Sequence, residues 1–216
     1  MRIAVIGAGT VGGTLGRGWA RRGHEVTFGV RDESGPRATG LASEGLRVAA
    51  PRMAVEGSEA VLLATPWAAA REALAGLGDL GGRPLLDATN PIGPGLTLAL
   101  GHHTSGGEQV QAWARGARVV KVFNTTGAEN LAAPRFGERA ALMLYCGDDA
   151  SACAVAARLA TDLGFEAVAA GPLASARLIE PLALLWIRLA MAEGQGRDFA
   201  FGLLRRGRAG VGQAPA

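Results

Sequence analysis

The chain has 216 residues, 49% of them apolar, with 22 basic and 19 acidic side chains and a net charge of +3. That is enough chain to bury one core, or one core with a small appendage, and no apolar run reaches the ~18 residues that would suggest a membrane span. The surplus cations form no stripe with interleaved aromatics, so nucleic-acid binding has little support. Two cysteines, Cys146 and Cys153, are too few for a disulfide framework or a metal set and read as buried thiols of a reducing cytosol.

The chain opens on strand-like sequence with no secretory leader in front of it, and a cytoplasmic protein is expected. Ile3-Ala4-Val5-Ile6 reads as a buried parallel strand. Gly7-Ala8-Gly9-Thr10-Val11-Gly12 follows at once in the G-x-G-x-x-G spacing, and then a segment able to be helical to about Arg22. Gly23-His24 breaks the helix, and Glu25 to Val30 is a second strand. This βαβ unit has the length of a dinucleotide-binding motif. Gly7 permits the tight turn out of the strand, Gly9 lets a pyrophosphate approach the backbone, and Gly12 lets helix and sheet come close. Free backbone N–H groups and the positive end of the helix dipole then face the phosphates.

The second strand bears on which dinucleotide. An NAD site places Asp or Glu about 20 residues past the glycines, on the ribose 2′-OH. That place falls near Gly29, which has no side chain, whereas Arg31 stands two residues on and Arg37 follows. A guanidinium there suits a 2′-phosphate, which it can grip with two parallel hydrogen bonds. NADP is expected over NAD. Asp32 would be the acid of an NAD site only if the register were three residues off.

Further along, Glu33 to Gly45 fits a loop and a short helix, and Leu46 to Ala50 a third strand closed by Pro51. Ala60 to Thr65 is a fourth strand, ended by Pro66-Trp67 and followed by a helix to about Leu77; Pro84 to Thr89 is a fifth. A long irregular stretch leads to a helix around Gln109 to Arg115, and Arg118 to Phe123 is a sixth strand. Alternation of this kind predicts a doubly wound, parallel α/β sheet of Rossmann type. From Ala140 the texture shifts to a strand to Cys146, a helix capped by Asp148-Asp149 and a strand at Glu166 to Ala170. Then comes an apolar helical region ending near Glu193, which Pro181 kinks or restarts, and a short helix from Asp198 to Arg206; the tail from Gly207 reads as frayed. The expected division is a dinucleotide-binding domain over 1–139 and a small α/β segment over 140–216. Leu182 to Leu189, LALLWIRL, is apolar nearly all round, which fits either a core helix or one shared with a second copy of the chain, so a homodimer is a standing hypothesis.

Ligands of open parallel sheets bind beyond the carboxyl ends of the strands. This chain places there the glycines, Arg31, Thr65-Pro66-Trp67, Asn90-Pro91 and Asn124-Thr125-Thr126. Each has a plainer reading as well: Thr65-Pro66 as a strand stop, Trp67 as core under a loop, Asn90-Pro91 as a turn, Asn124 as a cap. His102-His103 are adjacent, and neighbouring residues seldom chelate one ion, so no metal is expected. Dehydrogenases of hydroxy acids need a His or Lys near the reacting carbon, and the single lysine, Lys121, lies inside a predicted strand. With no G-x-S-x-G, H-E-x-x-H or C-x-x-C, no catalytic side chain is assigned. The pattern points to hydride passing between two rings, with the protein supplying orientation and a dry pocket.

GAGTVGGTLGRGWARRGHEVTFGVRD, ATPW, DATNP, VVKVFNTTGAENL, LMLYCGDD and LGFEAVAAGPLASARLIEPLALLWI together resemble the coenzyme F-420-dependent NADP oxidoreductases, over nearly the whole chain from Arg2 to about Arg206. The same stretches are similar to the cytosolic reductase domain of membrane metalloreductases, which use NADPH with a flavin. The resemblance implies hydride transfer between NADPH and a deazaflavin, coenzyme F-420, stacked between the Rossmann domain and the C-terminal segment. It implies that Gly7, Gly9, Thr10, Val11 and Gly12 hold the pyrophosphate and that Arg31 meets the 2′-phosphate. Thr65, Pro66, Asn90, Pro91 and Asn124 would line the nicotinamide side, with Leu173 near the acceptor ring. The family often carries Ser or Thr just before that arginine; this chain has Val30. An FMN, FAD or ferric acceptor, and an NADP(H)-binding sensor without turnover, remain alternatives.

Overall fold

The computed structural model describes residues 1–205. Five strands, β1 (Arg2–Ile6), β2 (Glu25–Gly29), β3 (Arg47–Ala49), β4 (Ala60–Leu63) and β5 (Pro84–Asp87), alternate with helices α1 (Thr10–Ala20), α2 (Pro36–Ser43), α3 (Pro51–Glu56) and α4 (Trp67–Leu77). A two-residue hairpin, β6 (Ile92–Gly93) with β7 (Thr97–Leu98), precedes α5 (Gly106–Trp113) and strand β8 (Arg118–Lys121). Then come α6 (Ala128–Ala132), the hairpin β9 (Arg135–Phe136) with β10 (Arg139–Ala140), β11 (Leu142–Gly147), α7 (Ala150–Leu163) and β12 (Glu166–Ala169). A 3-10 turn at Leu173–Ser175 leads into the last helix, α8 (Ala176–Met191).

The main sheet has the order β12-β11-β8-β5-β4-β1-β2-β3. Six strands are parallel, and the chain reverses direction across the sheet between β1 and β4, which is the switch point of a Rossmann fold. Successive residues point to opposite faces, so the nearly continuous apolar runs serve two cores. Ile3, Val5, Leu62, Leu86 and Val120 pack with α1, α2 and α7; Ala4, Ile6, Val61, Leu63, Leu85 and Val119 pack with α3, α4 and α5. Trp19 of α1 is fully buried, donates its indole N–H to Leu159 O of α7 at 3.0 Å, and meets the Phe123 ring edge-on at 5.5 Å.

Several expectations from the sequence change in detail. β11 is antiparallel to β8, and only two of its residues pair, with Cys146 opposite Lys121. Residues 142–145 therefore extend past the end of β8, where they carry β12 alongside. Pro51 does more than close a strand: it is the first residue of α3, where its missing N–H costs nothing. The irregular stretch after Pro91 contains the β6–β7 hairpin, and the helix expected at Gln109 starts three residues earlier because Ser105 caps it, accepting from Glu108 N. α6 and the β9–β10 hairpin are too short for their periodicity to register in the sequence. α8 runs through Pro181 as one helix. The segment from Asp198 to Arg205 is not helical; Trp186 Nε1 and Asn130 Nδ2 both donate to Phe199 O, so side chains from α8 and α6 replace helical partners there. Arg206 and the tail from Gly207 lie outside the described residues.

Replacing Trp19 with Phe removes the indole hydrogen bond that ties α1 to Leu159 O of α7 and leaves a cavity. Urea unfolding is expected to show a loss of about 2–3 kcal/mol.

Candidate functional site

The strand pairing aligns the ends of the sheet. Ala49, Gly29, Ile6, Leu63, Asp87 and Lys121 face one another in sequence across β3, β2, β1, β4, β5 and β8, and Cys146 continues the row. Everything that follows these residues forms a rim along one edge. The loops after β1, β4, β5 and β8 accordingly bring Gly7, Thr65, Asn90 and Asn124 side by side, as the sequence pattern expects.

The glycine loop has the shape its spacing implies. Gly7 has φ +101°, and a Cβ there would sit 2.5 Å from Ala64 O. A Cβ on Gly12 would meet Gly7 O at 1.9 Å. Gly9 caps α1 in extended conformation, and nothing lies within 4 Å of the point where its side chain would start. No side chain caps the first N–H groups of α1, those of Thr10 and Val11 among them. An anion fits here.

The end of β2 explains the missing acid. Gly29 is packed from both sides: a Cβ would lie 2.7 Å from Ile6 Cδ1 and 2.9 Å from the backbone of Pro51 in α3. No carboxylate fits at this position. Asp32 is occupied locally, its Oδ1 accepting from Ser34 N and Oγ. Val30 is buried beside α2, so its side chain turns away from the rim. Arg31 is free to engage a ligand: its side chain is 85% exposed, with only a loose 3.9 Å contact to Glu72 of α4. Arg37, on the first turn of α2, is exposed as well.

On the other side of the switch point the rim is held by its own side chains. Asn90 Nδ2 donates to Asn124 O and Asn124 Nδ2 donates to Asn90 Oδ1, both at 3.0 Å. Phe123, just before Asn124, holds φ +62°, a costly conformation for a bulky residue, and its N–H points to Met143 Sδ. Two polar atoms of this rim are buried without a partner, Thr65 Oγ1 and Asn124 Oδ1. Pro66 precedes α4 and is exposed; Pro91 is buried against α5. Trp67 opens α4 and packs on Trp113 of α5 with ring centroids 5.2 Å apart. Leu173 is buried against Gly107 of α5, so its side chain backs the site from the core. His102 and His103 are exposed, and among the described residues no group of three or more His, Cys, Asp or Glu could hold a metal ion.

Beneath the rim lies a group the sequence reading passed over. Lys121 is fully buried, and its ammonium lies 3.0 Å from Asp87 Oδ2, 3.0 Å from Glu180 Oε1 of α8 and 2.5 Å from Thr89 O. Burial by itself pushes the Lys121 pKa down, but Asp87 and Glu180 outweigh it and the net direction is upward. Glu180 also accepts from Gly106 N and Gly107 N at the start of α5. The signal in the sequence is an acid and the single lysine, Asp87 and Lys121, near the ends of two successive strands; Glu180 lies on a distant helix and gives none.

This geometry matches known proteins. The pattern of the family described as NADP oxidoreductase, coenzyme F420-dependent, matches residues 2–91. The crystal structure of a candidate F420-dependent NADP reductase from Arthrobacter sp. FB24 is 35% identical, with a TM-score of 0.84 over 95% of this chain and 100% of that one. The chain belongs to this family. It is an NADP-dependent oxidoreductase by that membership. A hypothetical protein from Sinorhizobium meliloti is 28% identical over 82% of this chain and 88% of its own, with a TM-score of 0.70. Metalloreductase STEAP3 of Rattus norvegicus is 31% identical over 188 residues, 85% of this chain but only 37% of that relative's length.

Replacing Gly29 with Asp, the acid an NAD site would carry, is expected to lower stability by about 1–3 kcal/mol through overpacking against Pro51 and Ile6. Thermal melting checks this, and NADH use is not expected to rise with the substitution.

Proposed function

We propose that this enzyme transfers hydride between NADPH and a deazaflavin, coenzyme F-420, directly from ring to ring. The observation that carries the reading is the pair of unpartnered buried atoms, Thr65 Oγ1 and Asn124 Oδ1, on a rim that continues the open anion cradle at Gly9. A buried polar group left unpaired costs roughly 1–3 kcal/mol, and a carboxamide laid along this rim would satisfy both. When bound, the nicotinamide supplies the hydride and the deazaflavin accepts it.

The chain's own residues bind and orient. Gly7, Gly9, Thr10, Val11 and Gly12 receive the pyrophosphate on backbone N–H groups. Arg31, with Arg37 beyond it, meets the 2′-phosphate. Thr65, Pro66, Asn90, Pro91 and Asn124 set the nicotinamide plane, with Trp67 and Leu173 supporting the rim from behind. No side chain is assigned proton transfer, because the three N–H groups of Lys121 are already committed to acceptors. Residues 1–139 form the NADP(H)-binding part, and the segment from 140 onward closes the acceptor side, with residues 142–145 standing past the end of β8.

An FMN, FAD or ferric acceptor is the second reading, favoured by the likeness to the metalloreductase. Mixing the protein and NADPH with F-420, FMN, FAD or ferric chelate and following NADPH absorbance separates these. Fastest oxidation with F-420 is expected; none with any acceptor would leave a binding protein without turnover. Arg31→Ala is expected to raise KM for NADPH about tenfold, the scale of one charge-assisted phosphate contact, with KM for NADH little changed. Wild-type enzyme using NADH as well as NADPH would overturn the NADP assignment.

The same reading includes a cytoplasmic homodimer. No helix among the described residues is long and apolar enough to cross a membrane, and both cysteines are free thiols, Cys146 being pushed up to about 12 by burial. α8 has an outer apolar face, with Leu178 and Leu185 two turns apart and both exposed, and Met191 beyond them. Light scattering is expected to give a dimeric mass for the wild type and a monomeric one for Leu185→Glu; a monomeric wild type would remove the dimer.

A further inference from the structure

We propose that Asp87, Lys121 and Glu180 form a buried anionic unit that makes this site hold the oxidised, positively charged nicotinamide more tightly than the reduced, neutral one. The inference rests on the nicotinamide lying along the rim, as proposed above. It goes beyond that reading by giving a redox-state preference to three residues that touch no ligand. They are positioning residues, acting through Thr89 and through their field.

The charge of the unit follows from its hydrogen bonds. The three N–H groups of Lys121 have three acceptors, Asp87 Oδ2, Glu180 Oε1 and Thr89 O. Around Glu180 every neighbour is a donor: Gly106 N at 2.8 Å on one oxygen, Gly107 N at 2.9 Å and the ammonium on the other. Asp87 Oδ1 accepts from Thr89 N at 2.9 Å and from Thr89 Oγ1 at 2.7 Å. Every hydrogen-bonding partner of Glu180 is an N–H donor, and Asp87 faces the Lys121 ammonium and the Thr89 N–H, so the surroundings suit the carboxylate form of both acids. Two carboxylates and one ammonium leave one negative charge in surplus. The amino end of α5 offsets about half a charge of it, and an anionic remainder stays.

Position turns this charge to use. Asp87 and Lys121 are the last residues of β5 and β8, and the turn they grip, Thr89, is one residue from Asn90. That places the surplus charge within a few ångströms of the rim, since neighbouring Cα atoms are about 3.8 Å apart. All three side chains are at most 1% exposed, so salt screens them weakly. A neutral Lys121–Asp87 pair would have been enough to fasten β5 to β8; Glu180 supplies the second carboxylate. At an effective dielectric of about 20, the remaining charge should favour the cationic ring by roughly three- to tenfold.

The test is the ratio of dissociation constants, Kd(NADP+)/Kd(NADPH), measured by calorimetry on the full chain. The adenosine bisphosphate half of NADP, which lacks the nicotinamide, serves as the control. Wild type is expected to bind NADP+ at least as tightly as NADPH. Glu180→Gln and Asp87→Asn each remove one full negative charge, twice the half charge left after the helix offset, and should each raise the ratio about ten- to hundredfold, leaving the control ligand's affinity in place. The double variant Lys121→Met/Glu180→Gln keeps one uncompensated carboxylate and should retain the wild-type ratio. A purely structural staple would weaken both redox forms alike; an unchanged ratio in a folded single variant therefore overturns the proposal. Should neither single variant fold, wild type binding NADPH more tightly than NADP+ overturns it. Failure of the underlying reading is distinct: wild type would then bind neither dinucleotide.

Discussion

The fold is fastened at one point, the buried ammonium of Lys121. It joins the end of β8 to the end of β5 through Asp87 and to α8 through Glu180, while Glu180 in turn holds the first two N–H groups of α5. Four elements are thus joined at the carboxyl edge of the sheet. A buried charge is expensive unless paired and hydrogen-bonded, and here each oxygen and each N–H has its partner. Losing one charged member leaves its partners short of a charge, whereas an isosteric amide at Asp87 or Glu180 keeps an oxygen on the neighbouring donors.

What this fastening positions is the rim. The lysine and Asp87 pull Thr89 into a fixed turn, which presents Asn90; Asn90 then pairs reciprocally with Asn124. The order of dependence runs from buried charge to turn to surface amide. The antiparallel entry of β11 adds to the same rim: its short overlap with β8 lets its residues 142–145 run past the end of β8 and supply Met143 Sδ to the Phe123 N–H. A longer overlap would have carried that strand back along the sheet, away from the rim.

Much of this was legible in the sequence where the signal is local. The βαβ unit, the strands that start at Ala60 and Pro84, the helix to Leu77 and the Asp149 cap of α7 all follow from periodicity and turn chemistry within a few residues, although both strands end two residues before the Thr65 and Thr89 that the sequence suggests. The direction of β11 was not legible, because an apolar strand reads alike in either sense. Asp198 to Arg205 carries helix-compatible residues, yet Asn130 and Trp186 claim the Phe199 carbonyl, and no local pattern encodes that. Lys121 reads in the sequence as an ordinary strand residue. Strand residues can meet a helix from far along the chain, and the partner Glu180 sits in an apolar run that hid its charge.

The rim itself is over-determined on one side and open on the other. Asn90 and Asn124 fix each other, and Phe123 holds a backbone conformation that only the surrounding packing can sustain. Yet Thr65 Oγ1 and Asn124 Oδ1 have no partner in the protein. Ordinary folding stability would favour rotating these groups toward water or pairing them, so their retention argues that the geometry is set for something else to complete. Preorganisation of this kind lowers the cost of binding, since Asn90 and Asn124 need not be ordered on arrival. On this argument the folded chain carries the unfavourable free energy of the unpaired rim before any cofactor arrives. The proposed nicotinamide site is then most rigid where orientation of the reacting ring matters, and least constrained at Arg31 and Arg37, where long exposed side chains can close on a phosphate after it docks.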